Sequence, residues 1–189
     1  MSVLELFAAL TGLLYLGLIT IKQRAGWIFG CISSLIYMIL CFQQNLFLQS
    51  GLQVIYLFLG VYGYFSWNKV ASSVILGLSS KQHVIILTAG CLISLITGTM
   101  MSKTNQQLPY LDALITIFSI IATFLTTKSI LENWIYWIVI NILAIYLFVT
   151  QEMHLTALLF LINTIGSVYG YLNWRKIMSQ KNDKLTVFD

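Results

Sequence analysis

Three residues in the second half of this sequence have the types and the spacing of a binding surface for a flat ring. Trp134, Trp137 and Asn141 lie three and seven positions apart, which places them on one face of an α-helix. The two indoles can stack on a planar ring, and the amide can hydrogen-bond its edge. Tryptophan near a helix end also occurs as a lipid-interface anchor, an alternative that stays open for Trp134.

Polar residues in two other apolar segments predict further parts of the same site. Gln53 and Tyr56 lie in one segment and Asn163 in another. A polar group at membrane depth needs a partner in the protein, in water or in a ligand. We therefore add these three residues to Asn141 and the two tryptophans as candidate substrate contacts.

Two carboxylates occupy matching positions near the start of two apolar segments, Glu5 and Asp112. Carboxylates at an entrance would attract a cation. They also fit the positive N-terminal end of a helix dipole, which requires no ligand. Both interpretations stay open, and the two residues are the candidate entrance.

The composition indicates an integral membrane protein. The chain of 189 residues is 59% hydrophobic and only 8% charged, whereas about a quarter of the residues of a soluble domain are charged. Uncharged apolar runs near the roughly 20 residues that a bilayer requires predict seven membrane helices. They cover about 4–20, 26–43, 48–67, 83–100, 110–127, 133–150 and 154–174.

The chain contains an internal repeat. The block Val-Tyr-Gly-Tyr at 61–64 returns at 168–171, an offset of 107 residues, and an ungapped alignment of 3–69 with 110–176 at that offset has 16 identities. Internal repeats in apolar chains are typical of transporters. Trp134, Trp137 and Asn141 align with Trp27, Gly30 and Ser34, so the candidate surface differs between the repeats. Either an asymmetric ligand or drift in packing would explain that difference.

The repeat and the helix count together predict the architecture. Two three-helix units joined by one unmatched helix must have the same orientation in the membrane, so we predict parallel repeats in a 3+1+3 plan. The predicted parts are 1–69 as repeat 1, 70–108 as connector and linker helix, 110–176 as repeat 2, and 177–189 as a basic cytoplasmic tail.

The distribution of charge predicts the orientation. Nine of the ten Lys and Arg residues fall on the side of the C-terminus, and Lys103 alone falls on the other. Because positive residues stay cytoplasmic, we predict an external N-terminus and a cytoplasmic C-terminus. Trp67 and Trp174 precede basic residues at the ends of their segments and are interpreted as interface anchors, and the basic tail as a lipid contact rather than a nucleic-acid contact.

Several classes of function are disfavoured. The three cysteines lie inside predicted helices, no residues have metal-ligand spacing, and no nucleophile–base pair is visible. We therefore predict no enzyme, no metal and no cofactor. A chain without an ATP-binding motif must move its substrate downhill, couple it to an ion or use another subunit.

These motifs together resemble the PnuC family of bacterial vitamin transporters, and the resemblance covers about 4–176. Its most specific part is Asn-Trp-x-x-Trp-x-x-x-Asn at 133–141. The other matching residues are Leu52, Gln53, Tyr56, Tyr62, Gly63, Trp67, Pro-Tyr-Leu-Asp at 109–112, and Gly170 with Trp174.

The resemblance implies a carrier of the bacterial inner membrane with a plan similar to that of the SWEET sugar carriers. It implies facilitated diffusion of nicotinamide riboside, with a cytoplasmic kinase that traps the product. Trp134, Trp137, Asn141 and Gln53 would then line the substrate site. Thiamine is the alternative within the family and a sugar the alternative outside it. Both vitamins carry a flat cationic ring, which tryptophan faces attract. A homotrimer is one assembly that the sequence allows.

Overall fold

The computed structural model describes residues 3–43, 47–68, 74–104 and 107–186, which form seven α-helices. The helices are α1 (Val3–Thr20), α2 (Gly26–Gln43), α3 (Phe47–Ser66), α4 (Ser80–Met101), α5 (Pro109–Thr127), α6 (Asn133–Thr150) and α7 (His154–Thr186). The predicted all-α class with seven helices is confirmed. Between the helices, residues 76 and 130 form an isolated parallel bridge.

Local chemistry explains several helix ends. Pro109 is the first residue of α5, where its fixed φ suits the helix and its missing N–H costs nothing. Ser79 and Gln82 form a capping box at the start of α4. Just after α1 and α5, Lys22 and Ser129 adopt left-handed backbones with φ of 61° and 58°. These two residues occupy the same position in the repeat, so both units end their first helix with the same backbone conformation.

Among the described residues, six helices are long and apolar enough to cross a membrane. The remaining helix, α3, has 20 residues, a length of about 30 Å. It carries Gln49, Ser50 and Gln53 in its first half, and these polar residues lower its apolar character. Two of them, Gln49 and Gln53, line the central cavity, so the polarity of α3 has a structural reason.

The helix bounds follow the repeat. α2 begins at Gly26 and ends at Gln43, and α6 begins and ends 107 positions later, at Asn133 and Thr150. The packing follows it too: α1 packs on α2 and α2 on α3, as α5 packs on α6 and α6 on α7. Between the two sets, α3 contacts α5 and α1 contacts α7. The parallel 3+1+3 arrangement and the four predicted sequence divisions stay predictions with which this packing agrees.

The glycines of the repeated block give close contacts between helices. A Cβ added to Gly63 would lie 2.5 Å from the ring of Trp27, and one added to Gly170 would lie 2.7 Å from that of Trp134. Each glycine therefore makes room for the tryptophan of the neighbouring helix in its own unit. This packing explains why both copies of the repeated block carry a glycine at the same position.

The structure differs from the sequence-based predictions for the C-terminal tail and for Trp67 and Trp174. α7 continues to Thr186, so the described part of the predicted tail at 177–189 extends the last helix. Trp67 and Trp174 are buried inside the protein and do not face the lipid interface as anchors. Their indoles are placed inward because each one bonds to the opposite unit, as described below.

Candidate functional site

A cavity of about 360 Å³ lies between the helices. All helices except α4 contribute described residues to its wall. Along α1 the wall extends from Ala8 to Ile19, a rise of roughly 16 Å. The wall combines aromatic and aliphatic surface with a small number of polar groups, as small-molecule sites do.

The structure brings seven of the eight candidate residues to this cavity. Glu5 is the exception and is partly exposed near the start of α1, close enough to the cavity residue Tyr37 to interact with it electrostatically. The candidates that line the wall are Gln53, Tyr56, Asp112, Trp134, Trp137, Asn141 and Asn163. Their roles in binding stay predictions.

Trp134 is almost fully enclosed, with 2% of its side chain exposed. Its ring packs edge-on against Trp174 at a centroid distance of 5.4 Å and lies over Gly170. Its Nε1 is buried without a hydrogen-bond partner among the described residues, and so is Nε1 of its counterpart Trp27. Trp134 therefore lines the cavity with an unpaired buried donor, while its ring is covered by packing.

Trp137 is partly exposed and has space on the cavity side. Its counterpart Gly30 is filled differently, because a Cβ there would lie 2.8 Å from the ring of Tyr15. The counterpart of Tyr15 is Ala122. The first unit has the large residue Tyr15 on α1 and the small residue Gly30 on α2, whereas the second unit has the small residue Ala122 on α5 and the large residue Trp137 on α6. Only the second unit therefore has an indole at this position of the wall.

Asn141 is held by a chain of hydrogen bonds from α7. Its Nδ2 donates to Ser167 Oγ at 3.3 Å, and Ser167 Oγ donates to the carbonyl of Asn163 at 2.8 Å. Because the hydroxyl proton of Ser167 is used on that carbonyl, its oxygen must accept from Asn141. This leaves Asn141 Oδ1 as a buried acceptor without a partner among the described residues.

Opposite this face, the first unit and α5 supply further polar groups. The hydroxyl of Tyr56 is hydrogen-bonded to Ser119, and both residues line the wall together with Gln53. Asn133, the first asparagine of the helix 6 motif, has a different role. It accepts from Thr126 at 2.9 Å and donates to the Ile130 carbonyl at 2.6 Å, so it fixes the turn between α5 and α6.

The charge of the cavity is acidic. Asp112 is the one charged side chain among the described residues of the wall, and it is buried. The described residues contain no group of three His, Cys, Asp or Glu side chains that could hold a metal ion. The wall is therefore suited to an organic cation or a neutral molecule.

Four tryptophans lie together at the end of the cavity where α1, α3 and α5 end and where α2 and α6 begin, and we call them the tryptophan cluster. Trp27 and Trp67 meet edge-on at 5.4 Å, Trp134 and Trp174 do the same, and Trp67 meets Trp174 at 5.9 Å. Trp27 and Trp134 belong to both the cavity wall and the cluster. The cluster therefore separates the cavity from that end of the bundle.

Hydrogen bonds cross between the units at this cluster. Trp67 Nε1 donates to the Thr127 carbonyl and Trp174 Nε1 to the Ile19 carbonyl, both at 3.1 Å. Ser66 Oγ donates to the same Thr127 carbonyl, and Asn173 Nδ2 to that of Thr20. Residues in the last helix of each unit, or just after it, thus bind carbonyls at the end of the other unit's first helix, where intrahelical partners run out.

Lys22 completes the cluster. Its Nζ lies 3.5 Å from the ring centroid of Trp67 and 4.5 Å from that of Trp174, and it donates to Ser129 Oγ. Burial of the amine lowers the pKa of Lys22 to about 7. Nothing in the sequence around Lys22 predicts this role, because a basic residue at the end of an apolar segment indicates only orientation.

The fold and the cavity define the class. The protein is a multi-pass membrane protein that encloses a largely apolar site with a few polar groups between its helices, as small-molecule transporters do. The chain belongs to the nicotinamide mononucleotide transporter family, which it matches over residues 2–176. This confirms the predicted PnuC family and the prediction of a transporter rather than an enzyme.

Curated relatives and one solved structure agree with this assignment. The nicotinamide riboside transporter PnuC of Escherichia coli (strain K12) is 23% identical, with 92% of this chain and 85% of the relative covered. That of Haemophilus influenzae is 28% identical, with 96% and 83% covered. The crystal structure of the vitamin B3 transporter PnuC superposes with a TM-score of 0.76 at 24% identity, covering 94% of this chain and 82% of that chain. It supports the fold.

Proposed function

We propose that this chain carries nicotinamide riboside across the bacterial cytoplasmic membrane by facilitated diffusion. The observation that supports this most directly is the cavity wall of α6. It combines the partly exposed face of Trp137 with a buried free acceptor on Asn141. A pyridinium ring that stacks on Trp137 would gain cation–π attraction, and its carboxamide N–H would satisfy Asn141 Oδ1.

The charge of the wall favours the riboside over the mononucleotide named in the family description. The mononucleotide carries a phosphate, which proteins bind with Lys, Arg or helix N-termini. The described wall contains Asp112 and no basic side chain. A phosphate would meet this carboxylate without a compensating cation, whereas the cationic riboside is attracted by it.

The passive mechanism is supported by the same wall. An ion-coupled carrier of this size needs titratable or coordinating groups along its path, and Asp112 is the one carboxylate among the described wall residues. We propose that a cytoplasmic kinase phosphorylates the product. The added phosphate would prevent return through an acidic cavity, so phosphorylation would trap the vitamin inside.

The proposed orientation places the tryptophan cluster at the cytoplasmic end of the cavity. Lys22, Arg24 and Lys128 lie at that end, as expected if positive residues stay inside. The N-terminus would then be external and the C-terminus cytoplasmic. Asp112, at the opposite end of α5 from Lys128, would lie near the external entrance.

Uptake into proteoliposomes tests the proposed function. Labelled nicotinamide riboside is expected to equilibrate across the membrane without a proton or sodium gradient, and to accumulate only when a kinase and ATP are enclosed. Nicotinamide mononucleotide should not enter. Thiamine and a hexose serve as comparison substrates. Accumulation driven by an ion gradient without a kinase would contradict passive transport, and preferential uptake of thiamine or hexose would contradict the assigned substrate.

Replacing Asp112 by asparagine is expected to weaken binding of the cationic riboside roughly fivefold. The change removes the one negative charge of the described wall, and a charge pair roughly 16 Å apart is worth on the order of 1 kcal/mol at an effective dielectric constant near 20. Binding is measured by isothermal titration with the riboside and with an uncharged, reduced-ring analogue. The analogue should bind both proteins equally, and an equal loss for both ligands would contradict the electrostatic role.

A further inference from the structure

Ser167 forms hydrogen bonds that helix packing alone does not require. It is 2% exposed, lies on α7, and contacts the candidate ligand residue Asn141 on α6 through its hydroxyl. We propose that Ser167 is a positioning residue that selects a ring carboxamide over a ring carboxylate, by holding the amide of Asn141 with its oxygen toward the substrate. This proposal rests on the proposed function and names the group of the substrate that the site recognises.

The first step of the argument is the direction of the hydrogen bonds. The hydroxyl of Ser167 has one proton, which is donated to the Asn163 carbonyl. Its oxygen is then an acceptor for Asn141 and cannot donate to it. An asparagine amide rotated by 180° would place Oδ1 against this acceptor, where the two oxygens would repel each other.

The second step is what the fixed amide offers to a ligand. Asn141 is 1% exposed, so its unpaired Oδ1 is already desolvated and gains from any donor that reaches it. A carboxamide N–H supplies that donor. A carboxylate at the same ring position has no proton and would place its oxygens against Oδ1. The fixed orientation therefore favours the amide and penalises the acid.

The first unit lacks the hydrogen-bonded pair that Asn141 and Ser167 form in the second. The counterparts of Asn141 and Ser167 are Ser34 and Gly60, and a Cβ added to Gly60 would lie 2.6 Å from Cys31 Sγ. The equivalent place is filled by packing and offers no side-chain hydrogen bond from α3. The asymmetry between the units is thus located at the positions that would contact one end of an asymmetric ligand.

The test compares two ligands on variants of the full chain: nicotinamide riboside and the analogue with a carboxylate in place of the carboxamide. Ser167→Ala frees the amide of Asn141 to rotate, and it should reduce the ratio of the two affinities roughly threefold to tenfold, the range of one hydrogen bond. Ser167→Thr keeps the hydroxyl and should restore the ratio. Thr164→Ala is the matched control, because the hydrogen bond of the Thr164 hydroxyl among the described residues is to the Phe160 carbonyl of its own helix.

The ratio separates positioning from stability, since a general loss of folded protein lowers both affinities together. An unchanged ratio in Ser167→Ala, with measurable binding, would overturn this inference and leave the proposed function standing. Failure of the unmodified protein to bind nicotinamide riboside would overturn the proposed function itself.

A separate observation concerns Lys22 at the tryptophan cluster. Its amine lies over indoles of both units, Trp67 and Trp174, and donates to Ser129 of the second unit. We infer that Lys22, together with the hydrogen bonds of the tryptophan cluster, holds the two units together at this end of the cavity. Lys22 follows α1 and belongs to the first unit, so its contacts with Trp174 and Ser129 cross between the units.

The position of Lys22 in the repeat explains how one lysine can contact both units. Lys22 and Ser129 are equivalent positions, 107 residues apart, and both have left-handed backbones. Two equivalent residues that contact each other must lie next to the symmetry axis that relates the units. A cation at such an axis can face the equivalent rings of both units, and a second lysine in place of Ser129 would repel it. Opening this end requires the units to separate, which breaks the contacts with Ser129 and Trp174.

The test measures access to the cavity from the cluster end. A cysteine replaces the wall residue Thr123 in a chain whose three native cysteines are alanine, and inverted vesicles are treated with an impermeant thiol reagent. Lys22→Met keeps the length of the side chain but removes the amine. It should increase labelling roughly fivefold to a hundredfold, the range of a cation–π contact with a hydrogen bond.

Two controls make the result specific. Lys22→Arg retains the charge and the donors, and should label at the rate of the parent. Arg24→Met removes an equal charge from the same end, where the side-chain contacts of Arg24 with Tyr64 and Asn68 lie within the first unit, and should also label like the parent. Equal labelling of Lys22→Met and the parent would overturn the inference, as would an equal increase in Arg24→Met.

Discussion

Replacing Trp137 by alanine is expected to weaken binding of nicotinamide riboside by roughly tenfold to a hundredfold, because aromatic stacks of this kind are worth about 1–3 kcal/mol on truncation. Trp137 is the partly exposed indole of the cavity wall, so the lost surface is the surface that a ligand would cover. Trp137→Phe should retain part of the affinity, since a smaller ring remains. Isothermal titration with purified protein provides the measurement.

The matched control for Trp137 is Tyr146→Ala, an aromatic residue of the same helix that is exposed on the outside of the bundle. It should leave the affinity unchanged. Wild-type affinity in Trp137→Ala would show that the ligand does not stack at this position. A loss of equal size in Tyr146→Ala would show that the effect comes from α6 as a whole.

Replacing Trp174 by alanine is expected to destabilise the protein by about 3–5 kcal/mol, the usual cost of removing a buried large aromatic side chain. Trp174 is fully buried, packs against Trp67 and Trp134, and donates to the Ile19 carbonyl. Its loss would leave a cavity and remove a hydrogen bond at the contact between the units. The melting temperature should fall on the order of 10 °C.

This effect is measured by thermal unfolding in detergent, with Tyr169→Ala as the control on the same helix. Tyr169 is exposed, so its removal should change the melting temperature little. Trp67→Ala should resemble Trp174→Ala, since Trp67 makes the equivalent bond to Thr127. Unchanged stability in Trp174→Ala would contradict the role of the tryptophan cluster in joining the units.

The predictions for Trp137 and Trp174 assign binding to one tryptophan and stability to the other, a difference that the sequence could show only in part. The spacing of Trp134 and Trp137 on one helix is local, so it could be inferred from the 3.6-residue period, and both residues do line the cavity. The sequence could not show that the face of Trp134 is covered by Trp174 and Gly170. It also suggested a lipid interface for Trp67 and Trp174, because a tryptophan followed by basic residues is typical of both an anchor and a buried helix end.

By itself, the sequence determined the class of protein, the bounds of α1 to α6 to within three residues, the start of α7, the repeat and the candidate residues of α6. Each of these depends on hydropathy or on spacing within one segment, which are local properties. Only the tertiary structure decided that Ser167 accepts a hydrogen bond from Asn141, that Lys22 contacts residues of both units, and that Asp112 but not Glu5 lines the cavity. These are contacts between helices far apart in the chain, and the packing of side chains across the interfaces determines which residues meet.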